Sequence, residues 1–295
     1  MNNQFIGLYT ALVTPFNSDK SLDYNSLEIL IKRQIENHVD GIVILGTTGE
    51  NSAISDSEFK NIVQFTIDIN KKKMKIIVGS GSNNTQKTLE RSILARDLGA
   101  DAIMLVTPYY NKPPQEGIYQ HYIRIANSIN IPILIYNVKS RTAVNLEIDT
   151  ILRLSKHKNI VGIKEASGDL LQVMNLIHKT NQKFFVLSGD DSLAFSIMCL
   201  GGHGVVSVIS NLLPNEMRSI VQQCLVGNYS LAQQNHYKLL DLMSILLSIS
   251  SNPIPIKTLL AHFSIIKEEF RLPLYGLTDQ QKKELIKVYK TYIND

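Results

Sequence analysis

Up to Val208 the chain alternates between two hydrophobic patterns. Residues 8–13, 41–45, 75–78, 102–106, 132–136, 160–164, 184–187 and 204–208 are short, near-continuous apolar runs. Between them, apolar residues return every three or four positions, as at Leu27, Leu30, Ile31 and Ile35, or at Ile62, Phe65 and Ile69. The runs predict strands buried on both faces, and the spaced stretches predict helices with one apolar face. End signals agree with that division. Asp23 stands at an N-cap position, Ser55-Asp-Ser-Glu58 is a capping box, and Gly99 stops a helix over 85–98. Further helices are predicted over 115–128 and 146–156, after Asp169 over 170–177, and from Ser188-Gly-Asp-Asp191 to Leu200.

Strand–helix units repeated in this way predict a TIM (β/α)8 barrel, since a doubly wound sheet of as many strands is less economical. After Pro214 the strand pattern stops, and residues 216–226, 229–248, 256–263 and 278–293 predict helices alone. The expected organisation is a catalytic barrel over 1–227 followed by a helical C-terminal region over 228–295. No solenoid repeat period is present.

Composition narrows the function classes. The 295 residues carry 30 basic and 26 acidic side chains, a net charge of +4 that is too mild to argue for nucleic acid or a membrane surface. The basic run Lys71-Lys72-Lys73 fits a solvated loop. No apolar run reaches membrane-spanning length, and the start at Met1-Asn-Asn-Gln-Phe5 lacks a basic and an apolar leader region, so a cytoplasmic protein is expected. Cys199 and Cys224 fall in helical segments and are expected to be buried thiols rather than a disulfide. The histidines show no metal-ligand spacing, and Gly79-Ser-Gly81 lacks the later glycine and lysine of a nucleotide loop; no metal and no cofactor are expected. His203, in the turn before the last strand, is expected to be structural.

In a barrel of this kind, chemistry belongs where strands meet the loops that follow them. Those positions hold Thr47 and Thr48, Tyr109 and Tyr110, Tyr136 and Arg141, Lys164, and Gly189. Each alone has a structural reading: a turn, a packed ring, a surface ion pair, a rim lysine with a wet ammonium. Together on one rim they suit a keto acid. A lysine amine, with a reference pKa of about 10.4, becomes a nucleophile towards ketones when its surroundings keep it neutral. Thr47 and Thr48 could hold a carboxylate, Tyr136 could move protons at the carbinolamine, and Arg141 could clamp a second carboxylate.

The motifs Gly46-Thr-Thr-Gly-Glu50, Thr107-Pro-Tyr-Tyr-Asn111, Tyr136-Asn-Val-Lys-Ser-Arg-Thr142, Gly162-Ile-Lys-Glu165, Ser188-Gly-Asp-Asp191, Gly201-Gly-His-Gly204, Asn252-Pro-Ile-Pro255 and Arg271-Leu-Pro273, in this order along nearly the whole chain, resemble the dihydrodipicolinate synthase family. The resemblance implies a TIM barrel with a helical C-terminal region, usually a homotetramer. It also implies a lyase that joins pyruvate to L-aspartate 4-semialdehyde at the first committed step towards diaminopimelate and lysine. By match, Lys164 would form the Schiff base and Tyr136 would be the general acid/base. Thr47 and Tyr110 would complete a proton relay, with Tyr110 reaching across a subunit interface. Thr48 would bind the pyruvate carboxylate and Arg141 that of the aldehyde, while Gly189 and Val206 would line the site.

Related pyruvate-dependent lyases, such as N-acetylneuraminate lyase or keto-deoxy sugar acid aldolases, generally lack the arginine matched by Arg141 and more often have Ser-Thr where this chain has Thr47-Thr48. A non-catalytic small-molecule-binding barrel is disfavoured by intact Lys164, Tyr136, Thr47 and Tyr110. The chain departs from the family at Lys139 and Ala143, where proline and glycine are common; loss of the proline could loosen the Arg141 loop, but a tolerated change is expected because Arg141 itself remains. It also departs at Lys87, Asp56 and Phe59. Lysine-sensitive relatives carry a glutamate and two histidines there, so weak or absent inhibition by lysine is expected even though Tyr109 and Asn83 are kept.

Overall fold

The computed structural model describes residues 5–180 and 183–294. Eight parallel strands close into a barrel in chain order. They are β1 Gly7–Ala11, β2 Gly41–Ile44, β3 Lys75–Gly79, β4 Ala102–Val106, β5 Ile133–Asn137, β6 Ile160–Glu165, β7 Phe185–Ser188 and β8 Gly204–Ser207. Closure comes from β8 pairing with β1, where Val206 stands opposite Tyr9. The outer layer is built from α1 Tyr24–Glu36, α2 Asp56–Asn70, α3 Thr85–Asp97, α4 Gln115–Ser128, α5 Lys139–Thr142, α6 Ile148–Leu154, α7 Leu170–Lys179, α8 Asp191–Cys199 and α9 Pro214–Leu225. Three more helices follow: α10 Tyr229–Ser248, α11 Ile254–His262 and α12 Asp279–Asn294.

Apolar residues occupy both faces of each strand because both faces are covered. Along β5, Leu134 and Tyr136 join an inner cluster with Tyr9, Met104, Leu187 and Val206, while Ile133 and Ile135 join the layer beneath the helices. The same period of two puts Ile163 of β6 in the outer layer and so turns Lys164 inward. The caps act as their sequence signals suggest. Asp23 and Asp169 accept from the Ser26 and Gln172 amides, and the Ser55–Glu58 capping box is formed in both directions.

The appended helices are integrated with the barrel's outer layer. α10 packs against α8, α9 and α12, and residues from Ile254 to Leu260 of α11 are buried in unbroken succession.

Several expectations shift. The helix expected over 146–156 is shorter, and the one-turn helix α5 has no sequence pattern long enough to announce it. Of the two expected buried thiols only Cys224 is buried; Cys199 is exposed, and both are free. Ala194, Ile197 and Met198 hold the buried face of α8, and one further step of about 100° turns Cys199 away from it. The leader-region reading rests on residues 1–4, which lie outside the described residues. Among those described, no helix is long and apolar enough to cross a membrane.

Candidate active site

Lys164 and Tyr136 are partners in the β5–β6 register and meet on the inner wall of the barrel. Lys164 is only 5% exposed, and its Nζ lies 4.2 Å from the centroid of the Tyr136 ring, within cation–π range. Gly189, just past β7, makes room for the lysine stem. A Cβ there would stand 3.0 Å from Lys164 Cε and 2.6 Å from the Ala166 Cβ. Val206 is fully buried in the same inner cluster.

Thr47 and Thr48 sit in the turn after β2, closed by the Gly49 and Glu50 amides donating to the Gly46 and Thr47 carbonyls at 3.1 Å each. Thr48 is buried, and its Oγ1 accepts from Asn252 Nδ2 at 2.9 Å. Arg141, on α5, donates from Nη2 to the Asn252 carbonyl at 3.2 Å. One residue of the C-terminal region therefore contacts both predicted carboxylate-binding groups. A cavity of about 280 Å³ at this rim is lined by Thr47, Tyr109, Tyr136 and Arg141, together with Asn252 and Arg271.

Tyr110 is not gathered with them. It is 88% exposed in the left-handed backbone region at φ +74°. Of the other predicted residues, Thr47, Tyr136 and Arg141 line the cavity, whereas Lys164, Thr48, Gly189 and Val206 do not. Ala143 also takes a left-handed conformation, φ +58°, as the C-cap of α5. The glycine common in the family would adopt that conformation without steric cost, so the departure that strains this loop is Ala143. Lys139, the first residue of α5, is where a proline would be tolerated. His203 is structural as expected, its Nδ1 accepting from the Val186 amide at 3.1 Å.

Asn252 and Arg271 carried no assigned role in the sequence. They are distant from the strand ends in the chain, and the motifs Asn252-Pro-Ile-Pro255 and Arg271-Leu-Pro273 were their only signal. Among the described residues, no three His, Cys, Asp or Glu side chains are grouped to hold a metal ion.

A (β/α)8 barrel with a lysine and a tyrosine paired on its inner wall, below a rim of hydroxyl groups and an arginine, belongs among the barrel lyases. The chain is a member of the Dihydrodipicolinate synthetase family, whose profile matches residues 4–292. A Methanocaldococcus jannaschii protein named 4-hydroxy-tetrahydrodipicolinate synthase is 45% identical over 287 residues, covering 97% of this chain and 98% of its own length. The crystal structure of dihydrodipicolinate synthase from Aquifex aeolicus superposes with a TM-score of 0.96 at 36% identity, covering 98% of each chain. The chloride-inhibited dihydrodipicolinate synthase from Acinetobacter baumannii complexed with pyruvate gives a TM-score of 0.95 at 41% identity, covering 97% of this chain and 98% of that one.

Proposed function

We propose that this enzyme condenses pyruvate with L-aspartate 4-semialdehyde through a Schiff base on Lys164. The observation that carries the reading is the buried Lys164 amine beside the Tyr136 ring, next to the cavity that Thr47 and Arg141 line. Lys164 Nζ attacks C2 of pyruvate, and the carbinolamine loses water with a proton delivered by Tyr136. The iminium gives up a C3 proton to Tyr136, which lost its own in the preceding step. The resulting enamine carbon attacks the aldehyde carbon, and Tyr136 returns the proton to the new alkoxide. The substrate's own amine then displaces Lys164 at C2 and closes the ring. Thr48 orients the pyruvate carboxylate and Arg141 that of the aldehyde. Thr47 links Tyr136 to Tyr110 from a second copy of the chain, and Gly189 and Val206 shape the wall.

The relative complexed with pyruvate supports the first substrate, and an arginine at the rim favours the dicarboxylate-forming reaction over cleavage of sugar acids. The setting we propose is a cytoplasmic homotetramer, with a catalytic barrel over 1–227 and a helical region over 228–295. Two free thiols suit a reducing compartment. Exposed apolar side chains at Leu171, Met174 and Val226 suit coverage by other copies.

Borohydride reduction with pyruvate tests the chemistry. Peptide mapping is expected to find the adduct on Lys164 with activity lost, and the rate is expected to be indifferent to EDTA. An adduct elsewhere, or none, overturns the reading.

A further inference from the structure

One residue beyond Tyr136 and Lys164, Asn137 and Glu165 are also partners in the β5–β6 register. Alternation turns these two side chains outward, beneath the helices, where both are buried. Asn137 Nδ2 lies 3.2 and 3.1 Å from the two Glu165 carboxylate oxygens. Glu165 also accepts from the Ser167 amide at 2.7 Å and from Gln172 Nε2 at 3.2 Å. Asn137 reaches the other way. Its Oδ1 accepts from the Leu146 amide at 3.0 Å, and its Nδ2 lies 2.9 Å from Asn145 Oδ1. Asn145 in turn donates to Gln172 Oε1 at 2.7 Å.

Burial pushes the Glu165 carboxyl above the usual carboxylate range, and the donors that face it, the Ser167 hydroxyl and amide and the Asn137 and Gln172 side-chain amides, oppose that by favouring the ionised acid. A buried acid among apolar neighbours costs stability unless its hydrogen bonds are complete, and a packed apolar pair would serve a purely structural purpose as well. What the pair adds is direction. It ties the carboxyl end of β5 to that of β6, immediately behind the two residues of the proposed chemistry. It also reaches the 138–146 segment that carries Arg141.

We propose that Asn137 and Glu165 are positioning residues, which hold the Tyr136 ring against Lys164 and seat the Arg141 loop. The proposal rests on the function inferred above. A misplacement of about 1 Å at a reacting centre costs roughly a hundredfold in rate, so small slippage between β5 and β6 is visible in turnover.

The test is reciprocal exchange. Glu165→Gln sets an amide donor against the Asn137 donor. Adding Asn137→Asp restores a donor–acceptor pair with the same single negative charge. The wild type is first trapped with pyruvate and borohydride; failure there overturns the function and not this inference. Given trapping, Glu165→Gln is expected to lose about tenfold or more in kcat. It should also raise KM for the aldehyde while leaving KM for pyruvate within twofold, and the double variant should regain most of the loss. Wild-type kinetics in Glu165→Gln, or no recovery in a folded double variant, overturns the proposal. If neither variant folds, Gln172→Met, at the edge of the network, decides: a several-fold fall in kcat supports it, and an unchanged kcat overturns it.

Discussion

Lys257 Nζ lies 2.5 Å from Glu50 Oε1, and neither side chain is open to water. Lys257 also donates to the Thr14 carbonyl at 3.0 Å, and Glu50 Oε2 accepts from the Arg271 amide at 3.2 Å. Burial pushes the Lys257 ammonium below the usual lysine range, an effect that Glu50 opposes. Glu50 closes the turn that holds Thr47 and Thr48, so this pair fastens α11 to the substrate end of β2.

Removing one partner of such a pair strands a charge in the interior. Lys257→Met is expected to cost about 3–5 kcal/mol in chemical denaturation, and adding Glu50→Gln is expected to recover most of that. A single variant within about 1 kcal/mol of wild type would show that the pair is not anchoring the turn.

Tyr136→Phe keeps the ring in the inner cluster and beside Lys164, so the fold should survive. Its turnover is expected to fall by about 10²–10⁴, the usual worth of a general acid/base. Near-wild-type turnover would remove Tyr136 from the mechanism. Arg141→Ala should raise KM for the aldehyde well above any change for pyruvate.

Strain in the Arg141 loop is localised at Ala143. Ala143→Gly relieves a left-handed conformation at φ +58° and is expected to raise stability by about 1 kcal/mol, read as an increase in Tm. A lower Tm would show that the alanine methyl contributes more by packing than it loses by strain.

Lysine is expected to be a poor inhibitor. Lys87, exposed on the first turn of α3, replaces the acid expected to meet a ligand ammonium. At 4 Å in watery surroundings, exchanging attraction for repulsion costs about 2 kcal/mol, roughly thirtyfold in affinity. Asp56 offers no ready compensation, because Arg91 Nε and Nη2 already donate to its Oδ1 at 2.9 and 2.6 Å. Phe59 is buried with the Arg91 guanidinium 4.9 Å from its ring centre. Initial rates against millimolar lysine check this: inhibition below a millimolar would refute it, and Lys87→Glu should restore sensitivity.

Local pattern was the readable part of this chain. Helices expected over 115–128 and 229–248 are α4 Gln115–Ser128 and α10 Tyr229–Ser248, because helical periodicity and its end signals lie within one segment. The same locality placed Lys164 and Tyr136 at strand ends, and barrel closure then brought them together. Contacts between Asn252 and Thr48, or between Lys257 and Glu50, join residues 204 and 207 positions apart. No periodicity encodes which distant side chain completes a turn. α5 escaped for the opposite reason: it is too short to display a period.

The placement of Asn252 and Arg271 at the cavity has a consequence for the order of synthesis. A growing chain makes Lys164 well before it makes either residue. At typical translation rates the interval to Arg271 is on the order of ten seconds. Once β8 has been made and the barrel can close, it has its amine but still lacks the C-terminal lining of its cavity and the amide that holds Thr48. Competence for turnover should therefore arrive late, as the last helices settle onto a barrel already made.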